Sequence, residues 1–244
     1  MMALRNILFQ IWLYGMIFLV GFGLSPLLLL PRKMVMAIIR WWAKCVIWGL
    51  KVISGVKVEF RGLEYAPQGS ALIAGKHMSM LDTIAPFLIL PDTCFVLKKE
   101  LTRMPFFGWY MWRAHMIPIK REDAAKALKS MLVMAKERLR EQRQIVIFPE
   151  GTRTEVGEDP TYKPGVAAIY RDLEAPCYLM ATNSGQCWPA HGIRRFPGTV
   201  VYEFLPPLPA GMKRAEFMSA VRERIETASN ALMAENSRKQ AARD

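Results

Sequence analysis

Ala71-Leu72-Ile73-Ala74-Gly75-Lys76-His77-Met78-Ser79-Met80-Leu81-Asp82 is the stretch whose reading decides the fold. Its first four residues are a short apolar run bounded by glycines, the pattern of a buried strand. A polar loop carrying His77 follows. Ser79-x-x-Asp82 then has the form of a capping box, in which the serine accepts from a backbone amide and the acid reaches back. An apolar helical stretch continues to Leu90, with a kink expected near Pro86 because proline removes a backbone donor. Strand, loop and helix in that order are the repeating unit of an α/β layer.

The same alternation extends in both directions. Residues 56–60 alternate apolar and polar, as in a strand with one covered face. Residues 94–97, 116–119, 144–148, 177–181 and 199–204 are further strand candidates. Residues 123–142 place Ala125, Leu128, Met131, Leu132, Ala135 and Leu139 at helical spacing. Residues 214–235 do the same with Phe217, Val221, Ile225, Ala228 and Leu232. The expected fold is therefore α/β, with a mostly parallel sheet flanked by helices. There is no internal repeat and no low-complexity linker.

The first fifty-five residues read differently. Residues 7–30 are an apolar run long enough to span a hydrocarbon core as a helix, although Pro26 opposes a straight helix to its end. Arg32 and Lys33 stop the run. Residues 34–54 then carry Arg40, Lys44 and Lys51 on roughly one helical face, with Trp41, Trp42 and Trp48, which suits a helix lying at a membrane interface. A cleaved signal peptide would be shorter and would end in a small-residue cleavage site, and a second membrane-seeking segment would not follow it. The expected organisation is a membrane-anchoring two-helix segment at 1–55, an α/β domain at 56–236 and a polar tail at 237–244.

Composition narrows the partners. Hydrophobic residues make up 52% of the 244, which excludes a disordered chain. Thirty-three Lys and Arg against 21 Asp and Glu give a formal charge of +12, which favours anionic partners such as phosphates, acidic headgroups or an acidic carrier protein. No nucleic-acid-binding motif is present. Cys45, Cys94, Cys177 and Cys187 are scattered, with no C-x-x-C and no ligand-like spacing to the three histidines. They read as reduced thiols in a cytoplasm-facing domain, with no metal site.

Chemistry gathers at the strand ends. His77 follows strand 71–74, Lys98 follows strand 94–97, Arg121 follows strand 116–119, and Glu150 and Arg153 follow strand 144–148. In an open parallel sheet that edge binds ligands, so neighbouring parallel strands would bring these groups together. His77 and Asp82 cannot share a face of one helix, but they meet if His77 sits in the loop and Asp82 in the first turn. Asp82 would then take the Nδ1 proton and leave Nε2 to accept one from a hydroxyl. Taken alone, the pair reads more readily as a loop histidine and a capping acid than as a catalytic pair. Phe148-Pro149-Glu150-Gly151-Thr152-Arg153 reads as strand, tight turn and charged loop. Arg153 can hold a phosphate bidentately, and Glu150 can hold Arg153 or a substrate hydroxyl. Ser79 and Ser184 lack a nucleophile elbow, and His115 and His191 read as structural.

Together these residues resemble the glycerolipid acyltransferases. His77-Met78-Ser79-Met80-Leu81-Asp82 is similar to that family's H-x4-D block. Lys98-Lys99-Glu100-Leu101 with Pro105-Phe106-Phe107-Gly108-Trp109 resembles the segment that follows in its bacterial 1-acyl-glycerol-3-phosphate-directed members. Ile117-Pro118-Ile119-Lys120-Arg121 resembles the second block, and Phe148 to Arg153 matches the third residue for residue. Ala175-Pro176-Cys177-Tyr178-Leu179-Met180-Ala181 departs from the fourth, keeping one proline. The resemblance implies that His77, oriented by Asp82, deprotonates the free hydroxyl of lysophosphatidic acid, which attacks the thioester of acyl-CoA or acyl carrier protein. It implies that Lys98, Arg121 and Arg153 hold the phosphate, that Glu150, Gly151 and Thr152 shape the acceptor site, and that no metal or other cofactor takes part. It also implies a place at the inner membrane, with the catalytic domain facing the cytoplasm. Glycerol-3-phosphate or another lysolipid as acceptor, and a non-enzymatic basic membrane-recruiting module, are the alternative readings.

Overall fold

A computed structural model describes residues 2–120, 124–173 and 176–241. Helix α1, Met2–Phe18, is followed by a π-helical turn, Leu19–Gly23, and a 3-10 turn, Ser25–Leu29. Helix α2, Arg32–Ser54, turns back along α1 and ends at Gly55, whose left-handed backbone closes the helix. The α/β domain then runs β1 (Val56–Arg61), β2 (Ala71–Gly75), α3 (Pro86–Ile89), β3 (Thr93–Lys98), α4 (Phe107–Arg113), β4 (Ile117–Ile119), α5 (Ala124–Arg140), β5 (Gln144–Ile147), α6 (Gly165–Leu173), β6 (Cys177–Thr182), α7 (Ser184–Cys187), β7 (Gly198–Leu208) and α8 (Arg214–Ala241).

The strands form one seven-stranded sheet in the order β1-β7-β6-β2-β5-β3-β4. Every neighbouring pair is parallel except β6 with β7. Strands β2 and β5 lie at its centre and are buried along their whole length, which is why their sequences are continuous apolar runs rather than alternating ones. Helices α5, α6 and α8 pack on one another and on the sheet, and α2 packs on α3 and α4. The fold is thus the expected mostly parallel α/β layer with a leading two-helix motif.

The interruption expected at Pro26 is present, and two other local expectations change. The apolar run 7–30 is not one helix: it breaks after Gly23, and Pro26 enters a separate 3-10 turn. The carbonyls freed by the break are taken up by α4. The Tyr110 hydroxyl donates to Val20 and Leu24, and Arg113 donates to Leu28 and Leu30. Nor does an apolar helix run from Asp82 to Leu90. A 3-10 turn, Met80–Thr83, precedes the short α3, since Pro86 cannot continue a hydrogen-bonded turn. Arg40 does not join Lys44 and Lys51 on an outward face. It turns inward to donate to the carbonyls of Phe87 and Pro91 at the end of α3, which need donors. At the other end of the chain, α8 remains helical to Ala241, where Lys239 pairs with Glu235 one turn back and the Ser237 hydroxyl donates to the Met233 carbonyl.

The two-helix motif shares the main core. Phe9, Leu13, Val35, Ile39, Val46 and Leu50 are buried in the same cluster as the central strands. Arg5 Nε donates to the Ile53 carbonyl at 2.6 Å and Trp12 Nε1 to the Cys45 carbonyl at 3.1 Å, so α1 and α2 are antiparallel. Gly49 permits that approach: a Cβ there would lie 2.1 Å from Trp12 Nε1. The four cysteines are free thiols, with Cys94, Cys177 and Cys187 buried.

Candidate active site

Strands β2, β5, β3 and β4 are consecutive in the sheet and parallel, so their carboxyl ends emerge at one edge. His77 leaves β2 there, the Pro149–Arg153 loop leaves β5, and Lys98 ends β3. Lys120 follows β4 and is exposed, while Arg121 lies outside the described residues.

The loop between β2 and the next turn is built around Asp82. Ser79 caps the Met80–Thr83 turn and accepts from the Leu81 amide, while Asp82 accepts from the Ser79 amide, so the capping box is complete. The acid also accepts from the Met78 amide at 2.7 Å and faces His77 Nδ1 at 3.1 Å, all on Oδ2. Oδ1 accepts from the Tyr202 hydroxyl at 2.8 Å. Asp82 has no solvent exposure. Burial alone would push its carboxyl up, but the hydrogen bond and charge of His77, with the Ser79 amide, outweigh burial and hold it below the ordinary range. Tyr202 is driven well above the usual tyrosine value by burial and then by the Asp82 charge, so it stays a neutral donor.

His77 is fixed as firmly as its partner. Its ring stacks on Phe148 with centroids 4.1 Å apart and planes at 15°. Its amide donates to Glu150 Oε2 at 2.8 Å, and its carbonyl accepts from the Thr154 amide and hydroxyl at 2.8 and 3.1 Å. The loop after β5 therefore grips both backbone groups of His77. With Nδ1 turned to Asp82, Nε2 is the ring nitrogen placed to take a proton.

Glu150 is 3% exposed and points into the protein, between His77 and Lys76. Burial is the main reason its carboxyl is pushed up to about 8, with the Lys76 charge opposing. Gly151 has φ +72°, the left-handed turn that lets the loop reverse. Thr152 and Arg153 are exposed. Lys98 is exposed and stands 3.9 Å from Glu100. Among the described residues, no group of three or more His, Cys, Asp or Glu side chains is arranged to hold a metal.

Sequence reasoning did not single out Tyr202, Thr154, Lys76, Glu226 or Tyr162. Lys76 carried a signal: a lysine at the end of an apolar strand must find a partner or leave the core. It is 1% exposed, and its ammonium reaches both Glu226 oxygens, at 2.8 and 2.9 Å.

The family model described as Acyltransferase matches residues 57–182. The 1-acyl-sn-glycerol-3-phosphate acyltransferase of Pseudomonas aeruginosa is 31% identical over 236 residues, 96% of this chain and 91% of that one. The enzyme of the same description from Helicobacter pylori is 44% identical over 91 residues, 37% of this chain and 38% of that one. The bovine 1-acyl-sn-glycerol-3-phosphate acyltransferase alpha is 27% identical over 72% of this chain and 62% of its own. The fold matches the crystal structure of the 1-acyl-sn-glycerophosphate acyltransferase from Thermotoga maritima with a TM-score of 0.79, covering 96% of this chain and 98% of that one at 22% identity.

Proposed function

The chain belongs to the acyltransferase family, and on that premise we propose that it moves a fatty acyl chain from a thioester to the free hydroxyl of 1-acyl-glycerol-3-phosphate, giving phosphatidic acid. The observation that carries the reading is the His77–Asp82 pair at a ligand-binding sheet edge, 3.1 Å apart. Asp82 holds the proton on Nδ1, and Nε2 takes the hydroxyl proton as the oxygen attacks the thioester carbonyl. The C–S bond breaks as the tetrahedral species collapses. The thiolate leaves and recovers the proton from the His77 imidazolium, which Asp82 stabilises. No acyl-enzyme forms, and the step calls on no metal or other cofactor. The thioester, of CoA or acyl carrier protein, is a co-substrate. Lys98, Arg121 and Arg153 hold the acceptor phosphate. Gly151 and Thr152 border the acceptor, while Glu150 acts from beneath, through the His77 amide.

The membrane is where lysolipid and product reside. Met2–Gly23 is long and apolar enough to cross a bilayer, yet its contacts favour a surface position. Near its start Asn6 accepts from the Arg195 amide, and at its end Val20 accepts from Tyr110. Both ends of α1 are thus tied to the catalytic domain, so the helix lies in one leaflet with its outer face in lipid. We place that leaflet on the cytoplasmic side of the inner membrane.

The experiment is acyl transfer by the purified full chain in detergent, with acyl-CoA or acyl carrier protein as donor and lysophosphatidic acid or glycerol-3-phosphate as acceptor, beside His77→Ala. Phosphatidic acid from the wild type, with turnover in His77→Ala lower by orders of magnitude, is the expected result. Transfer to glycerol-3-phosphate alone would move the acceptor. Undiminished transfer by His77→Ala would remove the base.

A further inference from the structure

Beneath the His77 loop lies a buried polar cluster that the reaction as written does not use. Lys76 Nζ reaches both oxygens of Glu226 on α8 at 2.8 and 2.9 Å, and Glu150 Oε1 at 3.1 Å. The Tyr162 hydroxyl donates to Glu226 Oε1 at 2.8 Å. Glu150 Oε2 carries the His77 amide. We propose that Lys76, Glu226 and Tyr162 are positioning residues that hold Glu150 under the His77 backbone, so that helix α8 sets the aim of the base.

Three observations support this. First, Lys76 immediately precedes His77, so anchoring its side chain constrains the peptide that joins them. Second, Glu150 is bracketed: one oxygen faces an ammonium and the other an amide. A rotation of its carboxyl would strand the His77 amide and leave Lys76 to Glu226 alone, in a site where unpaired polar groups are costly. Third, the fastening comes from far along the chain. Glu226 belongs to α8, and Tyr162 to the segment after the Pro149–Arg153 loop. The Lys163 amide donates to the Pro149 carbonyl at 2.7 Å, which closes that segment onto the same loop. One lysine and two carboxyl groups share this buried cluster. The Glu226 charge is among the causes that push the Glu150 carboxyl up, after burial and against Lys76. Removing either long-range partner therefore changes what Glu150 does, although neither partner touches His77.

The inference rests on His77 being the base, and its test separates the two ideas. Wild type, Glu226→Ala, Glu226→Gln, Tyr162→Phe, Lys76→Met and the double variant Lys76→Met/Glu226→Gln are purified whole in detergent. Thermal unfolding and kinetics with acyl-CoA and lysophosphatidic acid are measured well below each Tm. A misaimed base predicts kcat lower by about tenfold to a hundredfold in Glu226→Ala and Lys76→Met, with both KM values within about twofold. The double variant is then no slower than Lys76→Met, because the residues act as one unit. Glu226→Gln, which keeps an acceptor, recovers part of the loss. A merely structural role predicts a lower Tm with unchanged kcat, and a folded Glu226→Ala at wild-type kcat overturns the proposal. If Lys76→Met does not fold, Tyr162→Phe decides with Glu226→Gln, since each removes a single contact. Wild-type kcat in both overturns the proposal. The imidazole N–H resonance of His77, assigned by its loss in His77→Ala, gives a readout independent of turnover. It should shift in Glu226→Ala, and an unmoved resonance overturns the proposal. A wild type that acylates no acceptor would defeat the functional reading and leave this resonance to judge the positioning.

Discussion

Asp82 gathers donors from Met78, Ser79, His77 and Tyr202 without any solvent. Removing the Tyr202 hydroxyl by Tyr202→Phe should lower unfolding stability by about 1.5–3 kcal/mol, the range for a hydrogen bond to a charged group. The sign with pH follows from the direction of the Asp82 shift. Its carboxyl is depressed in the fold, so its contribution is present at neutral pH and lost as pH falls through the folded value. With one donor gone that value rises, and acid unfolding of Tyr202→Phe should begin at a higher pH than in wild type. Chemical denaturation at a series of pH values reads both effects, and an unchanged acid limb would separate Tyr202 from Asp82. Glu150 runs the other way. A carboxyl lifted from 4.5 to about 8 keeps in the fold a proton that the unfolded chain releases, so stability falls as pH rises through that interval. Glu150→Gln keeps an acceptor for the His77 amide and cannot ionise. Its Tm should therefore fall less than wild type between acid and mildly alkaline buffer, and parallel curves would place the ionisation elsewhere. His77 and Asp82 were legible in the sequence because the Ser79–Asp82 capping box sets Asp82 in the first turn and leaves His77 in the loop before it, where the two can meet. Tyr202 lies 120 residues from Asp82, and Glu226 150 from Lys76. Only the strand order and the return of α8 bring them near, and no local pattern encodes either.

Among the elements, the strands were readable because each carries its own burial pattern, and the shared edge of their carboxyl ends followed once they proved parallel and adjacent. The antiparallel entry of β7 was not readable, and Pro26 was the one sign of the break in the first apolar run. The break depends on donors from α4, Tyr110 and Arg113, which satisfy carbonyls of residues 20–30. Apolar composition in 7–30 predicts insertion in lipid equally well with or without those donors. The pairing of α1 with α2 gives a prediction at this scale. Gly49→Ala puts a methyl where Trp12 Nε1 now lies, 2.1 Å from the new atom, so either Trp12 moves or the helices separate. The expected cost is about 1–3 kcal/mol, as for overpacking in a tight core. Gly15 on α1 has nothing within 4 Å of a built Cβ, so Gly15→Ala should be neutral or stabilising by up to about 1 kcal/mol through helix propensity alone. Thermal unfolding of the two variants under one detergent condition compares them. Equal behaviour would mean that the Trp12–Gly49 approach does not limit the packing of the pair.

At the scale of the whole molecule, the outer face of the two-helix motif and that of α4 form one apolar surface. Ile11, Tyr14, Phe18 and Phe22 are 60% exposed or more, Trp112 is 76% exposed, and Phe106 bridges Phe18, Phe22 and Trp109. Such an area on a chain of charge +12 favours an anionic lipid surface, with aromatic rings and apolar side chains in the leaflet and basic groups at the headgroups. Whether α1 crosses that surface is decided by where its ends are held. Phe9 packs on Trp188 and Asn6 accepts from Arg195 near one end. Beyond the other, Arg32 makes a two-pronged ion pair with Asp92, at 2.8 and 2.6 Å, just before β3. A helix whose flanks are both bonded to one rigid domain cannot place them on opposite sides of a membrane about 30 Å thick in its core. Cysteines introduced at Met2 and Lys33, in a Cys45→Ala background, should therefore react with a membrane-impermeant maleimide from the same side of sealed vesicles. Lys98→Cys at the active edge marks the catalytic side. Labelling of all three without lysis is the expected outcome. Protection of position 2 or 33 until the vesicles are opened would mean that α1 spans the bilayer, and that the Arg32–Asp92 and Asn6–Arg195 contacts are not kept together in the membrane.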